Sequence, residues 1–379
     1  MSDTGNNLRA EAWQSANSTF AAHAARKHIP LSATFELTAR CSLKCKMCYV
    51  ALDPSQAGKT GRELTASQWI ALARTAIDAG SLYLLITGGE PLIRDDFEEI
   101  YTALSKMGYI ITLNTNATLM NDRYFDLFSK YPPTAVAVTL YGASPGTYEK
   151  VCGNAAGFDK TLRGLEMFSK IPTNIEVRTT FIKDNMDELE QCRAISKRYT
   201  NRFAINYLVF GSTRVEASGA AQCRMTPKEC MDLDMANYRY YANLDESEKV
   251  PVDPEIVEYF KSLSPDRDFG MHLPPESLAC LATKSMFWIS WDGKMLPCGT
   301  FDSPYTLPLE EGFIPAWNRL PGLFTDIKHP AECYGCELMG DRCPNCPGYM
   351  KADSGDFEKK SSWLCELSKE RAVRYSQPL

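Results

Sequence analysis

From residue 33 to 242, short apolar runs alternate with longer stretches in which apolar positions recur every three or four residues. The runs fall at 34–37, 82–87, 109–114, 135–141, 175–182 and 203–210. Apolar runs of this length, bounded by turn residues, predict buried strands. The stretches between them predict helices, as at 65–79 and 95–106. A third, 185–199, opens on a polar residue and keeps apolar positions at Met186, Leu189 and Ile195. Six strand–helix units of about 35 residues predict an α/β fold with a parallel sheet. Strands that are apolar throughout suit such a sheet, because both faces are covered.

The rhythm stops at 243–279, which carries an acidic patch (Asp245, Glu246, Glu248) and several prolines, Pro274 and Pro275 among them. This reads as a bridging region. From 280 the chain is rich in Cys, Gly and Pro and loses its periodicity. A segment of that kind builds little core alone, so bound metal is expected to supply part of its stability. Residues 365–375 predict a closing helix. The expected division is therefore an extension at 1–32, a barrel-forming part at 33–242, a bridge at 243–279 and a cysteine-rich domain at 280–379. There is no tandem repeat and no low-complexity tract.

Composition narrows the class. The chain has 379 residues, 44% apolar and 23% charged, with a net charge of −6. This is globular composition. The acidic balance disfavours a nucleic-acid partner. No apolar run approaches the ~18 residues that cross a bilayer, and the polar start carries no targeting signal. No membrane association and a reducing, cytoplasmic location are therefore expected.

Fourteen cysteines in such a compartment point to metal or redox chemistry rather than disulfides. Cys152, Cys192, Cys223 and Cys230 are scattered, as small buried hydrophobes are. Any of the four could serve as a hydrogen-atom donor where a reaction needs one. The other ten cluster at the two ends of the chain.

The front cluster reads Cys41-Ser-Leu-Lys-Cys45-Lys-Met47-Cys48-Tyr49, a C-x3-C-x2-C loop directly after the first predicted strand. Ligands in parallel sheets gather at the carboxyl ends of strands. Three thiolates on one loop can hold three corners of a cubane iron–sulfur cluster. No fourth cysteine is nearby in the chain, so one iron stays open, which is the logic of a catalytic metal site. The competing reading is a zinc ion completed by a distant residue. Only four histidines (His23, His28, His272, His329) are there to complete it.

This loop resembles the signature of the radical SAM enzymes, which carry it after the first strand of a partial (β/α)6 TIM-type barrel. Further motifs match. The second strand ends Gly88-Gly89-Glu90-Pro91, like the family motif that binds the amino group of S-adenosyl-L-methionine (SAM). Glu90 would pair with that ammonium, and the glycines would let backbone approach the ligand. The third strand ends Asn114-Thr115-Asn116-Ala117, similar to the family's Thr-Asn-Gly. The fourth ends Thr139-Leu140-Tyr141-Gly142, where Tyr141 stands in place of an acidic ribose-side residue and Thr139 keeps a hydroxyl. Arg178 on the fifth strand is a forked partner for the SAM carboxylate or one half of a surface ion pair. Met47 stands where the family usually has an aromatic, with Tyr49 after the third cysteine instead. The resemblance covers residues 33–242.

The rear spacing is Cys280, Gly293, Cys298, then Cys333-x2-Cys336-x6-Cys343-x2-Cys346, then Cys365. It resembles the SPASM extension of radical SAM enzymes, which carries two auxiliary iron–sulfur clusters of the [4Fe-4S] kind. By that resemblance, Cys333, Cys336, Cys343 and Cys365 hold one cluster. Cys280, Cys298 and Cys346 hold the other, with one iron lacking a cysteine. C-x2-C pairs suit zinc ribbons equally well. Asp292-Gly293 reads as a hairpin turn.

The resemblance implies a reaction. The front [4Fe-4S] cluster gives an electron to SAM, and the resulting 5′-deoxyadenosyl radical removes a hydrogen atom from substrate. The auxiliary clusters accept the electron left behind, so the net change is an oxidation. Peptide modification is common among SPASM enzymes. The expected activity is therefore a peptide maturase forming a thioether or carbon–carbon crosslink in a ribosomal precursor. The alternatives are formylglycine formation, as in anaerobic sulfatase maturases, and a small-molecule dehydrogenase or epimerase acting on a sugar, an alcohol or a tetrapyrrole precursor. A non-enzymatic electron carrier or zinc scaffold leaves Gly-Gly-Glu-Pro unexplained. Expected partners are the precursor peptide or protein and an external flavodoxin- or ferredoxin-like electron donor. With 32 residues ahead of the barrel, leader recognition would fall to a separate protein or the enzyme surface.

Overall fold

A computed structural model describes residues 20–50, 62–211, 220–243 and 278–375, apart from 22, 279, 340, 341 and 344. Most of the 1–32 extension and all of the 243–279 bridge except 243 and 278 lie outside the described residues.

Six parallel strands carry the barrel: β1 Ser32–Glu36, β2 Tyr83–Thr87, β3 Ile110–Thr115, β4 Ala135–Thr139, β5 Asn174–Thr180 and β6 Phe203–Asn206. Helices α1 Ala66–Asp78, α2 Phe97–Lys106, α3 Asp122–Lys130, α4 Pro145–Cys152, α5 Gly157–Phe168 and α6 Leu189–Ser196 alternate with them. The expected α/β partial (β/α)6 barrel is present. Sequence-local chemistry sets the helix ends. Thr65 and Gln68 form a capping box on α1, and Ser144 caps α4, which stops at Gly153 with φ +64.

Outward strand positions Phe35, Ile86, Leu113, Val138 and Val177 are fully buried in one continuous core that includes Trp69, Ile100, Phe128 and Phe168 from the helices. The inner face turns polar toward the carboxyl ends: Thr87, Asn114, Thr139, Thr180 and Asn206 line a cavity there. The fourth to sixth strands end earlier than their apolar runs. Leu140, Phe181, Ile182 and Val209 lie beyond the strand ends and are buried all the same. These loops fold back over the barrel, so apolarity there reports burial rather than extended pairing.

The cysteine-rich segment adds to the same sheet. Strand β7 (Met286–Ile289) pairs in parallel with β1, and β8 (Met295–Leu296) pairs antiparallel with β7, giving the order β6-β5-β4-β3-β2-β1-β7-β8. The hairpin turn falls at Asp292-Gly293, where Gly293 takes φ +88. Phe287, Met295 and Trp317 belong to the barrel's core. Sequence position 280 is thus no break in the sheet. Helix α7 (Pro227–Ala242) packs against the closing helix, Ser362–Tyr375, with Arg374 to Asp232 at 2.6 Å and Tyr375 to Asp234 at 2.7 Å. A mostly buried ion pair, Arg224–Asp353 at 2.6 Å, ties the two parts further.

Candidate active site

The cysteine loop leaves β1 and is braced from three sides. Buried Arg94 donates to the Leu37 carbonyl at 2.8 Å and the Leu64 carbonyl at 2.9 Å. The Gly89 amide donates to the Thr38 carbonyl at 2.7 Å, and the Glu90 amide to the Arg40 carbonyl at 2.9 Å. The third side is the end of α4, where the Lys44 amide meets the Cys152 carbonyl at 2.9 Å and the Lys46 amide meets the Val151 carbonyl at 3.0 Å. A Cβ on Gly88 would stand 2.6 Å from the Thr38 carbonyl oxygen, and one on Gly89 2.4 Å from that of Arg40. The glycines are therefore required for one loop to pack on the other. Both also line the cavity, as expected of backbone near a ligand.

Glu90 is fully buried and does not line the cavity. Its carboxylate accepts hydrogen bonds from the Leu92 amide (3.0 Å), the Thr115 hydroxyl (2.8 Å) and the Asn116 amide (2.8 Å). Burial still raises its pKa to about 7, the three donors pulling the other way. Here Glu90 acts as a clamp between the second and third strand-end loops, and this differs from the ammonium partner expected of it. Asn116 extends that clamp, with Nδ2 3.3 Å from Ser42 Oγ and 3.6 Å from Cys41 Sγ.

Of the other expected contacts, Met47, Tyr49, Asn116 and Thr139 line the cavity, and Pro91 is buried at the start of a 3-10 turn. Arg178 lies outside the lining, about half exposed, and is paired with Glu176 on the same strand. It takes the ion-pair alternative.

Two of the front thiols, Cys41 and Cys45, resist ionisation in the cluster-free chain. Burial, then the Glu90 charge, raises Cys41. A hydrogen bond shared with Cys152, then burial, raises Cys45. Only a strongly cationic ligand would make thiolates of them. Cys152 is a fourth cysteine beside the front loop, brought there by the end of α4. The sequence offered no sign of it.

The cavity, about 480 Å³, is walled by Cys45 and Cys48 on the barrel side and by Cys298, Gly299, Thr300 and Tyr349 from the rear segment. Trp288 spans the two, its indole N–H 2.5 Å from Glu36. Cys298 Sγ is 3.0 Å from the Thr300 hydroxyl. Sequence reading missed Trp288, Asn114, Thr180, Asn206, Phe210 and Tyr349. For Asn114 a signal existed, since it closes its apolar run; Thr180 and Asn206 sit inside theirs, at strand ends that the runs overshoot.

The rear thiols lie within electrostatic reach in two sets. Cys333 feels Cys365, Cys343 and Cys336, and burial leads in pushing it to about 11. Cys346 feels Cys298 and Cys280, and burial leads in pushing it to about 12. Among the described residues no three Cys, His, Asp or Glu side chains close tightly around a single metal ion. The sets are looser groupings of sulfurs.

A profile of the radical SAM superfamily matches residues 35–194. That segment is a radical SAM domain. The chain is 24% identical over 345 residues to an AdoMet-dependent heme synthase of Methanosarcina barkeri, an alignment spanning 88% of this chain and 95% of that protein. It is 24% identical over 350 residues to the antilisterial bacteriocin subtilosin biosynthesis protein AlbA of Bacillus subtilis, covering 90% and 72% respectively. Its fold matches that of Streptococcus suis SuiB bound to precursor peptide SuiA with a TM-score of 0.67, at 18% identity, over 92% of this chain and 80% of that one.

Proposed function

We propose that this radical SAM enzyme oxidatively modifies a peptide, forming a crosslink such as a thioether or carbon–carbon bond in a ribosomal precursor. The observation that carries the reading is the shared cavity. Cys45 and Cys48 form one wall and Cys298 another, so a radical source and an electron acceptor would face the same substrate.

The residues fit the groups this chemistry needs. Cys41, Cys45 and Cys48 on one braced loop would hold a [4Fe-4S] cluster with one corner open. Gly88, Gly89, Asn116, Thr139, Met47 and Tyr49 would cradle SAM. Cys333, Cys336, Cys343 and Cys365 would hold one auxiliary iron–sulfur cluster, and Cys280, Cys298 and Cys346 the other. When bound, the front cluster and SAM supply a carbon radical strong enough to take a hydrogen atom from an unactivated C–H bond. The chain's own part is to hold the reacting carbon near that wall and keep water out. Trp288, Phe210 and Tyr349 serve this, the last two stacked with ring centroids 3.7 Å apart.

The peptide class is supported by AlbA, whose alignment spans most of this chain, and by a fold shared with SuiB in complex with its precursor peptide. The partners proposed are the precursor peptide, a flavodoxin- or ferredoxin-like electron donor and a separate leader-binding protein. A second reading, oxidation of a tetrapyrrole, is favoured by the heme synthase relative, almost the whole of which aligns. One assay separates them. Anaerobically reconstituted enzyme is given SAM, dithionite and either short peptides encoded beside its gene or a porphyrin precursor. A peptide product lighter by two hydrogens supports the first reading. Turnover of the porphyrin alone overturns it.

A further inference from the structure

Every polar atom of Asn116 has a fixed partner. Its backbone amide donates to Glu90 at 2.8 Å, and its backbone carbonyl accepts from the Thr161 hydroxyl at 3.0 Å. Its side chain is buried at the cavity wall. There Oδ1 accepts from the Thr118 amide at 2.9 Å and from the Thr118 hydroxyl at 2.6 Å. Only an oxygen can accept from a backbone N–H, so this contact settles which way the side-chain amide faces. Nδ2 then points to Ser42 Oγ at 3.3 Å and to Cys41 Sγ at 3.6 Å. The hydroxyls of Ser42 and Thr118 lie 2.8 Å apart. Thr118 gives its proton to Asn116, so Ser42 gives its own to Thr118, and Asn116 gives one N–H to Ser42. The three side chains close a ring of donors, which leaves the second N–H of Asn116 for the Cys41 sulfur. The same sulfur accepts from the Leu43 amide at 3.4 Å.

We propose that Asn116 is a positioning residue whose side-chain N–H donates to the Cys41 sulfur of the bound front cluster and raises its reduction potential. The proposal rests on reading Cys41, Cys45 and Cys48 as cluster ligands. A reduced cluster carries one more negative charge than an oxidised one, so a donor at its sulfur stabilises the reduced form more. Burial strengthens such a bond. The ring with Ser42 and Thr118 keeps the amide from turning, so the donor already faces the sulfur when the electron arrives. Loss of that donor makes the cluster harder to reduce. Asn116 also lines the cavity, but its side-chain amide is fully engaged by Thr118, Ser42 and Cys41. Its contact with SAM would be packing, and its polar work is done on the cluster.

The test is a redox titration of anaerobically reconstituted protein, following by electron paramagnetic resonance the signal that SAM perturbs, with iron counted in every sample. Asn116→Ala is expected to keep full iron and to shift that signal to lower potential. The shift corresponds to roughly tenfold in the reduction equilibrium, about 59 mV for one electron. Ser42→Ala opens the ring but leaves the N–H on the sulfur, so its shift should be much smaller. An unchanged potential in Asn116→Ala with full iron overturns the proposal. Equal shifts in the two variants overturn it as well, since they would mark a general loosening of the loop. If Asn116→Ala loses front-cluster iron, the wild type decides. It is grown with asparagine carrying nitrogen-15 in the side chain, and pulsed resonance of the reduced cluster is expected to show a nitrogen-15 coupling. Absence of that coupling, or its loss in Asn114→Ala, overturns the proposal. Absence of any SAM-perturbed signal in the wild type is a separate outcome, one that sinks the cluster reading itself and the proposal with it.

Discussion

The two cysteine-bearing regions are built differently. The front loop sits on a finished scaffold. Arg94, Glu90 and the end of α4 hold its backbone at three places, and hydrogen bonds among protein groups fix its shape. Among its described residues the rear segment has a two-residue strand, two short 3-10 turns and exposed Cys280 and Cys336. It borrows core from the barrel through Phe287, Met295 and Trp317. On the reading proposed above, the contrast teaches that a catalytic cluster would need a site standing before the metal arrives, with a corner left free. A cluster that only accepts electrons, as proposed for the rear, could instead help to fold the segment around it.

That contrast can be broken most forcefully at the rear. Cys333→Ser with Cys343→Ser is expected to destabilise the iron-loaded protein by roughly 4 kcal/mol or more, with loss of amide protection concentrated after residue 300. Hydrogen exchange on reconstituted protein measures this. Protection as in the wild type would erase the distinction between the regions.

Next in size is the clamp. Glu90→Ala leaves the Thr115 hydroxyl and the Leu92 and Asn116 amides without their acceptor, at about 1–3 kcal/mol for each group left unsatisfied. A denaturant titration should show a loss of roughly 3 kcal/mol, and the front loop should lose iron. Full stability would mean that the loop is not braced there.

The same carboxyl makes a pH prediction. Its folded pKa, about 7, lies above the ordinary 4.5. The folded chain therefore keeps a proton that the unfolded chain releases. The resulting stability is complete below about pH 4.5 and is lost as pH rises through 7. Relative to Glu90→Gln, the wild type should lose on the order of 3 kcal/mol across that window. Paired melts between pH 5 and 7.5 test most of it, and parallel curves would contradict it.

The smallest stability effect is expected at the front. Replacing Cys41, Cys45 and Cys48 together by Ala should cost less than about 1.5 kcal/mol, since the loop's shape does not depend on metal. A collapse comparable to that of the rear variant, read by the same hydrogen exchange, would make the two regions alike.

Much of this was legible in the chain itself, and the failures have physical causes. Strand–helix alternation and the spacing of Cys41, Cys45 and Cys48 fixed the barrel and its candidate metal loop, because both are local patterns. Cys152 was not legible. A parallel barrel gathers residues from every strand end, and nothing near Cys152 in sequence marks that it lands on Cys45. Arg178 was open to a simpler reading, since Glu176 lies two positions before it and strand alternation puts both on one face. Gly88 and Gly89 were legible as glycines that close approach requires. The other backbone they approach, at Thr38 and Arg40, was not.

The central claim is that the front trio holds a cluster able to cleave SAM. Anaerobically reconstituted wild type and the triple alanine variant should be compared for 5′-deoxyadenosine released with SAM and dithionite, alongside total iron. The account predicts release from the wild type, none from the variant, and rear iron retained in both. Release from the variant at the wild-type rate would contradict it.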